Sequence, residues 1–265
     1  MKKLYLLAAF SISTIAFAQS VSDVVTGKLL SPKAKAKTAY VTFSPETKTA
    51  YKNLVEEGIK NGLPKEEAIE KTLENADFKK IYLNDLKQVN EVTSKQGIIL
   101  SKNFIKLTSH VKVAILPFST EIVSDKKKQS KKENIKNQEN AMDLIQDEMY
   151  KHFAKNQFDY FVEFQDIDRT NQILRNSGLW NNLSRTPTED IAKALGVDAV
   201  IRGDYEQGTK NKGGILTLSI ADAKTGEVLW RKESADKSSQ KPEKILKFIM
   251  ESINKSFPYL NELVD

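Results

Sequence analysis

Val111-Lys-Val-Ala-Ile-Leu-Pro-Phe-Ser119 opens with a near-continuous apolar run, Val113 to Leu116. A strand covered on both faces needs such a run. Pro117 ends it, because proline has no N–H to give to a ladder. Downstream, Phe158-Asp-Tyr-Phe-Val-Glu-Phe164 supplies a second strand, Tyr160 to Phe164, and Ala199-Val-Ile201 a third after Gly196. Leu216, Leu218 and Ile220 alternate with Thr217 and Ser219, so this strand has one face to the core and one to water. Asp222-Ala-Lys-Thr-Gly226 turns the chain, with Gly226 suited to positive φ, and Val228-Leu-Trp230 returns.

Helices fall between these strands. Met142, Ile145, Met149 and Phe153 lay one apolar stripe along a helix from about Asn137 to Asn156. Asp166 caps a helix carrying Ile167, Ile173 and Leu174, and Gly178 ends it. Thr186-Pro-Thr-Glu189 reads as a capping box opening the helix Glu189 to Leu195. A last helix starts at Lys241-Pro242, buries Ile245, Leu246, Ile249 and Ile253, and stops at Pro258. The order predicts an α/β (α+β) domain over 96–265: a mixed sheet of parallel strands plus a C-terminal antiparallel hairpin, flanked by helices. Ser124 to Asn134 is charged without an apolar anchor, so a mobile Lys-rich loop is expected over 124–136, solvated or touching anionic surfaces.

Residues 1–18 read as a signal peptide, with Lys2 and Lys3, an apolar run, and Ala16-Phe-Ala18 before Gln19. Residues 19–44 form an extended leader with a candidate short strand at Tyr40 to Phe43. Residues 45–95 form a helical N-terminal segment. Ser44 and Pro45 start its first helix, which carries Tyr51, Leu54, Val55 and Ile59. Asn61-Gly62 stops that helix. Leu63-Pro64 starts the second, and Phe78, Ile81, Tyr82, Leu86, Val89 and Val92 mark the third. Such short amphipathic helices must bury one face. A small bundle, docking on the α/β domain, or a groove for a partner would each satisfy that.

Composition excludes several chemistries. Cys is absent from the 265 residues, so there is no disulfide, no thiol nucleophile, no Cys-ligated metal and no lipid-modified cysteine. Losing Lys2 and Lys3 takes the formal charge from +6 to +4, which is too mild for a nucleic-acid surface. His110 and His152 lie far apart and read as structural or surface residues. Glu66/Glu67, Asp166/Asp168 and Glu189/Asp190 sit where carboxylates complement a helix dipole. No Gly-x-Ser-x-Gly, Gly-x-Gly-x-x-Gly or Gly-x-x-x-x-Gly-Lys occurs. We therefore expect no catalytic residues, no cofactor and no metal. Glu163, Arg202 and Asp204 need partners if they point inward, and are ordinary surface charges if they do not. Trp180 and Trp230 read as core packing in preference to ligand stacking.

Val113-Ala-Ile-Leu-Pro-Phe118, Phe161-Val-Glu163 leading to Asp166-Ile-Asp-Arg-Thr-Asn-Gln-Ile-Leu174, Ala194 to Gly203, and Ala221 to Val228 occur in one order. That order, over about 111–255, resembles the periplasmic α/β domain of the curli assembly/transport (CsgG) family. The same domain type is seen in LpoB-like activators of penicillin-binding proteins and in the N-terminal domain of the TolB translocation protein. Three departures stand out, the first being the absence of the lipidated cysteine that anchors the family's outer-membrane members. The segments Trp180 to Arg185 and Glu206 to Gly214 are too short for membrane-spanning hairpins, and Val162-Glu163-Phe164 replaces the family's frequent Val-Glu-Arg. The resemblance implies an exported, non-enzymatic binding or assembly module of the bacterial envelope, periplasmic or secreted and not a lipoprotein. Its partner would be an envelope protein or its own oligomer, with weak contact to outer membrane or cell wall. The alternatives are a component of a secretion pore or ring, and an unrecognised envelope hydrolase.

Overall fold

The computed structural model describes residues 43–120, 131–154, 162–206, 213–236, and the helical positions 245, 247–249 and 251–252. Three helices come first: α1 (Pro45–Lys60), α2 (Lys65–Glu74) and α3 (Ala76–Thr93). Strands β1 (Ile98–Leu100), β2 (Lys112–Ile115) and β3 (Ser119–Thr120) follow, then α4 (Lys131–Ala154), β4 (Glu163–Phe164), α5 (Ile167–Asn176) and α6 (Thr188–Leu195). The long strands β5 (Ala199–Glu206), β6 (Ile215–Asp222) and β7 (Val228–Ala235) complete the sheet.

The sheet order is β1-β7-β6-β5-β2-β4. β2 is parallel to β4 and β5, and the β5-β6-β7-β1 half is antiparallel. This is the mixed sheet and C-terminal hairpin that the apolar periodicity predicts. Pro117 ends β2 as its missing N–H requires. The chain then resumes as β3 against Asp204 and Tyr205 of β5. The described part of the second predicted strand is short, Glu163–Phe164, and 155–161 lie outside the described residues.

Two apolar layers cover the sheet. On one face Val113, Ile115, Ala199, Ile201, Leu218 and Ile220 pack against Ile145, Met149 and Phe153 of α4, and against Ile245 and Ile249. On the other, Ala114, Leu116, Val200 and Ala221 pack under Leu174 of α5 and Ile191, Ala192 and Leu195 of α6. Each of the larger of these side chains, Val, Leu, Ile, Met or Phe, contributes roughly 1.5–3 kcal/mol of burial.

The N-terminal helices dock on the sheet, the second of the three arrangements open to them. Tyr51, Val55, Ala68, Ile69, Phe78, Tyr82, Leu86 and Val89 belong to the same apolar cluster as the sheet. Phe43 is buried and stacks on Tyr82 with ring centroids 5.6 Å apart. It is not in a strand, and Tyr40 to Thr42 lie outside the described residues. Tyr82 Oη accepts from the Ile105 N–H, and Tyr51 Oη pairs with the Thr108 hydroxyl. Asn90 of α3 lies along β1: its Oδ1 accepts from Leu100 N and its Nδ2 donates to Leu100 O, both at 2.9 Å.

The expected caps at Ser44 and Asp166 form, accepting from the N–H groups of Thr47 and Arg169. Gly178, Gly196 and Gly226 take positive φ. Two readings are corrected. The capping box at Thr186 is not made: Pro187 is the N-cap without a side-chain bond, and the helix begins at Thr188. The Thr188 hydroxyl instead accepts from Arg202. Helix α4 begins at Lys131, not near Asn137, so 131–136 of the expected loop are helical turns. Lys, Glu and Gln are good helix formers, and extending an anchored helix costs little. Positions 124–130 lie outside the described residues.

Candidate functional site

Two regions collect polar side chains. The first is a cleft of about 190 Å³ at the amino ends of β2 and β5, lined by His110, Asp198, Asp222, Glu189, Lys193 and Lys224 among others. Asp222 ends β6, and His110 follows the short 3₁₀ turn Phe104–Ser109. His110 Nε2 lies 3.2 Å from Asp222 Oδ2, with both side chains nearly enclosed. Asp222 Oδ1 accepts from the N–H groups of Lys224 and Thr225 and from the Thr225 hydroxyl. Burial alone would raise the Asp222 carboxyl. The bonds from His110 and Thr225 outweigh it and hold the group well below the usual carboxylate range.

The elements around this pair hold the same hairpin or the strand beside it. Lys224 reaches Glu70 at 2.9 Å and Glu66 at 3.5 Å on α2. Asn103 Nδ2 donates to Glu227 Oε2 at 2.7 Å. Asp198 Oδ2 accepts from the N–H groups of Val111 and Lys112. The Ser109 hydroxyl donates to Lys106 O, away from His110, so serine, histidine and aspartate form no relay here. With its carboxylate oxygens engaged by the turn and by His110, Asp222 acts as a clamp on the hairpin. Among the described residues no cluster of three or more His, Asp or Glu side chains is arranged to hold a metal ion.

Most of the singled-out residues keep bland roles. His152 is half-buried beside Phe153. Glu66, Glu67, Asp168, Glu189 and Asp190 lie in first helical turns as read. Glu163 and Asp204 are exposed. Trp230 is core, whereas Trp180 is half-buried at the rim, with the Arg175 guanidinium 4.2 Å from its ring centroid. Arg202 is half-buried and donates to Leu183 O, Thr186 O and Thr188 Oγ1. Among the described residues no carboxylate pairs with it. Sequence reasoning missed the convergence of His110, Lys224 and Glu66. The Asx-type spacing Asp222–Thr225 was its only local sign.

The second region is the sheet face left open by α5 and α6. Those helices cover Val200 and Ala221. Beyond them Asp204, Glu206, Ile215, Arg231, Glu233, Ala235 and Ile99 are exposed, with Arg202, Thr217 and Ser219 half-buried. The intervening Ile201, Tyr205, Leu216, Leu218 and Ile220 are buried on the opposite face. One side of β5-β6-β7-β1 is thus a polar face with two exposed isoleucines, Ile99 at 53% and Ile215 at 47%. Among the described residues no helix is long and apolar enough to cross a membrane.

The sequence matches no known protein family and no curated protein. Among solved structures, the LpoB C-terminal domain from Salmonella enterica is 12% identical, covering 48% of this chain and 83% of that one at a TM-score of 0.30. A lipoprotein from Neisseria meningitidis is 11% identical, covering 55% and 95% at 0.31. The PelC dodecamer from Paraburkholderia phytofirmans is 10% identical, covering 58% and 86% at 0.30. The fold assigned here rests on the strand order and register above, and not on these likenesses.

Proposed function

We propose that this chain is an exported, non-enzymatic binding or assembly module of the bacterial cell envelope, periplasmic or secreted, built on a CsgG-like domain without membrane-spanning hairpins. The observation that carries the reading is the open face of β5, β6, β7 and β1. Helices cover one side of those strands, while the other presents Arg202, Asp204, Thr217, Arg231 and Glu233 around exposed Ile99 and Ile215. Charges of both signs can fix the register of a docked partner, and two exposed apolar side chains add area to bury. The export part of the proposal rests on the basic, apolar and Ala-x-Ala sequence of 1–18. The non-enzymatic part draws support from Asp222, whose oxygens are engaged by His110, Lys224 and Thr225.

A photo-crosslinking residue at Thr217, compared with one at the exposed Lys80 of α3, tests the proposal in the native cell. A discrete adduct from Thr217 alone, lost in Arg231→Glu, is the expected result. Equal labelling from both positions, or a hydrolytic activity abolished by His110→Ala, would overturn it.

A further inference from the structure

The strand registers sort the open face into ranks. Arg202, Ser219, Arg231 and Ile99 lie side by side in one. Asp204, Thr217 and Glu233 form the next, and Glu206, Ile215 and Ala235 the third. The first rank is cationic and the second anionic, and the two are about 6.8 Å apart along the strands. The order is the same on both outer columns: arginine then acid on β5, arginine then acid on β7.

We propose that this face pairs with the same face of a second copy, across a two-fold axis that runs parallel to the ranks. Such a rotation reverses strand direction and keeps each column over itself. Arg202 then faces the second copy's Asp204, Arg231 faces its Glu233, and Ser219 faces its Thr217. Arg231 already meets Glu233 within its own chain at 2.5 Å, so the four groups on the β7 column close into a square of alternating sign. Arg202 is half-buried and already held by Leu183 O, Thr186 O and Thr188 Oγ1, so the exposed β7 column carries most of the pairing. An axis along the strands would instead stack arginine on arginine and acid on acid, so the pattern selects one of the two face-to-face orientations. Isologous pairing of this kind needs only a self-complementary patch.

Its size sets its strength. Four strands about 4.8 Å apart and three ranks give on the order of 300–400 Å² per copy. A standard interface buries about 800 Å² per partner. The dimer is therefore weak, reversible and sensitive to salt.

The proposal rests on the reading of this face as the binding surface, and sedimentation equilibrium of the purified chain tests it. The expected result at low ionic strength is a monomer–dimer equilibrium that weakens several-fold at about 0.5 M salt. Arg231→Glu and Glu233→Arg should each weaken it about tenfold or more, because each places like charges opposite one another. Mixing the two variants, each first shown by circular dichroism to be folded, should give a heterodimer tighter than either homodimer. Three results would sink self-pairing: a monomer at the highest concentration in low salt, a dimer indifferent to Arg231→Glu, or a mixture with no heterodimer. A monomer in the centrifuge with a Thr217 adduct to another protein would end the self-pairing proposal while leaving the binding module standing.

Discussion

His110 and Asp222 are 112 residues apart in sequence and 3.2 Å apart in the fold. Their contact ties the turn leading into β2 to the hairpin that closes the sheet, and α2 grips the same hairpin through Lys224. This pair resembles the first two members of a catalytic relay, and its surroundings make it a clamp.

Asp222→Ala removes the acceptor for His110, Lys224 N, Thr225 N and the Thr225 hydroxyl together. Leaving a buried polar group without its partner costs about 1–3 kcal/mol, and several groups lose theirs at once here, so the expected loss is about 2–3 kcal/mol. Urea denaturation monitored by circular dichroism measures it. Asp222→Asn, which keeps an acceptor oxygen, should lose about half as much.

The carboxyl of Asp222 is depressed in the folded chain. Its stabilisation is therefore fully present above the ordinary aspartate value of about 4 and is lost as pH falls below it. Stability measured from pH 7 down to pH 3 should drop steeply at the acid end, and Asp222→Asn should flatten that drop. An unchanged acid limb in the variant would show that other carboxylates govern it.

At the alkaline end the sign reverses. Burial pushes the Tyr51 and Tyr205 phenols up to about 12, with the Asp236 charge adding to the effect at Tyr205. Groups raised on folding stabilise the chain below their unfolded value of about 10, and that stabilisation is lost as pH climbs toward 12. Phenolate absorbance from Tyr51 and Tyr205 should appear only well above pH 10, together with unfolding. Tyr51→Phe should lessen the alkaline loss.

Gly97 and Gly62 both hold positive φ, at 76° and 86°. A Cβ at Gly97 would lie 2.0 Å from Glu233 O, whereas at Gly62 nothing stands within 4 Å. Gly62→Ala should cost about 1 kcal/mol from backbone strain alone. Gly97→Ala must also displace β7 and should cost more than about 2 kcal/mol, read from paired urea midpoints.

Asn90 occupies the outward N–H and C=O of Leu100 on the edge strand β1. Asn90→Leu leaves both without a partner, at about 1–3 kcal/mol, and exposes a strand edge for pairing between chains. Light scattering should show concentration-dependent aggregation of the variant where the parent stays clear.

Much of this was legible in the chain. Val113 to Leu116 and Ala199 to Ile201 announce strands covered on two faces, and Leu216, Leu218 and Ile220 announce one with an exposed side. These are local signals, as are the caps at Ser44 and Asp166. The Thr186 box failed because that hydroxyl donates to Asn182 O in the preceding turn at 2.8 Å. Pro187 is left as the N-cap and the helix begins at Thr188. The cleft was not legible, because nothing local in Glu66, His110 or Lys224 says they will meet. The charge ranks also needed the register. Between Ile220 and Ala221 a bulge shifts the pairing, and only after it do Ser219 and Arg231 fall side by side.

The hairpin clamp also sets the order of events at birth. Asn103 emerges 124 residues before Glu227, its partner on that hairpin. At a synthesis rate of about 5–20 residues per second the wait is roughly 6–25 s. Through that interval the apolar faces carrying Tyr51, Phe78 and Tyr82 have no sheet to cover them. Until the hairpin closes, the apolar faces of α1 to α3 are the surface most open to non-specific association.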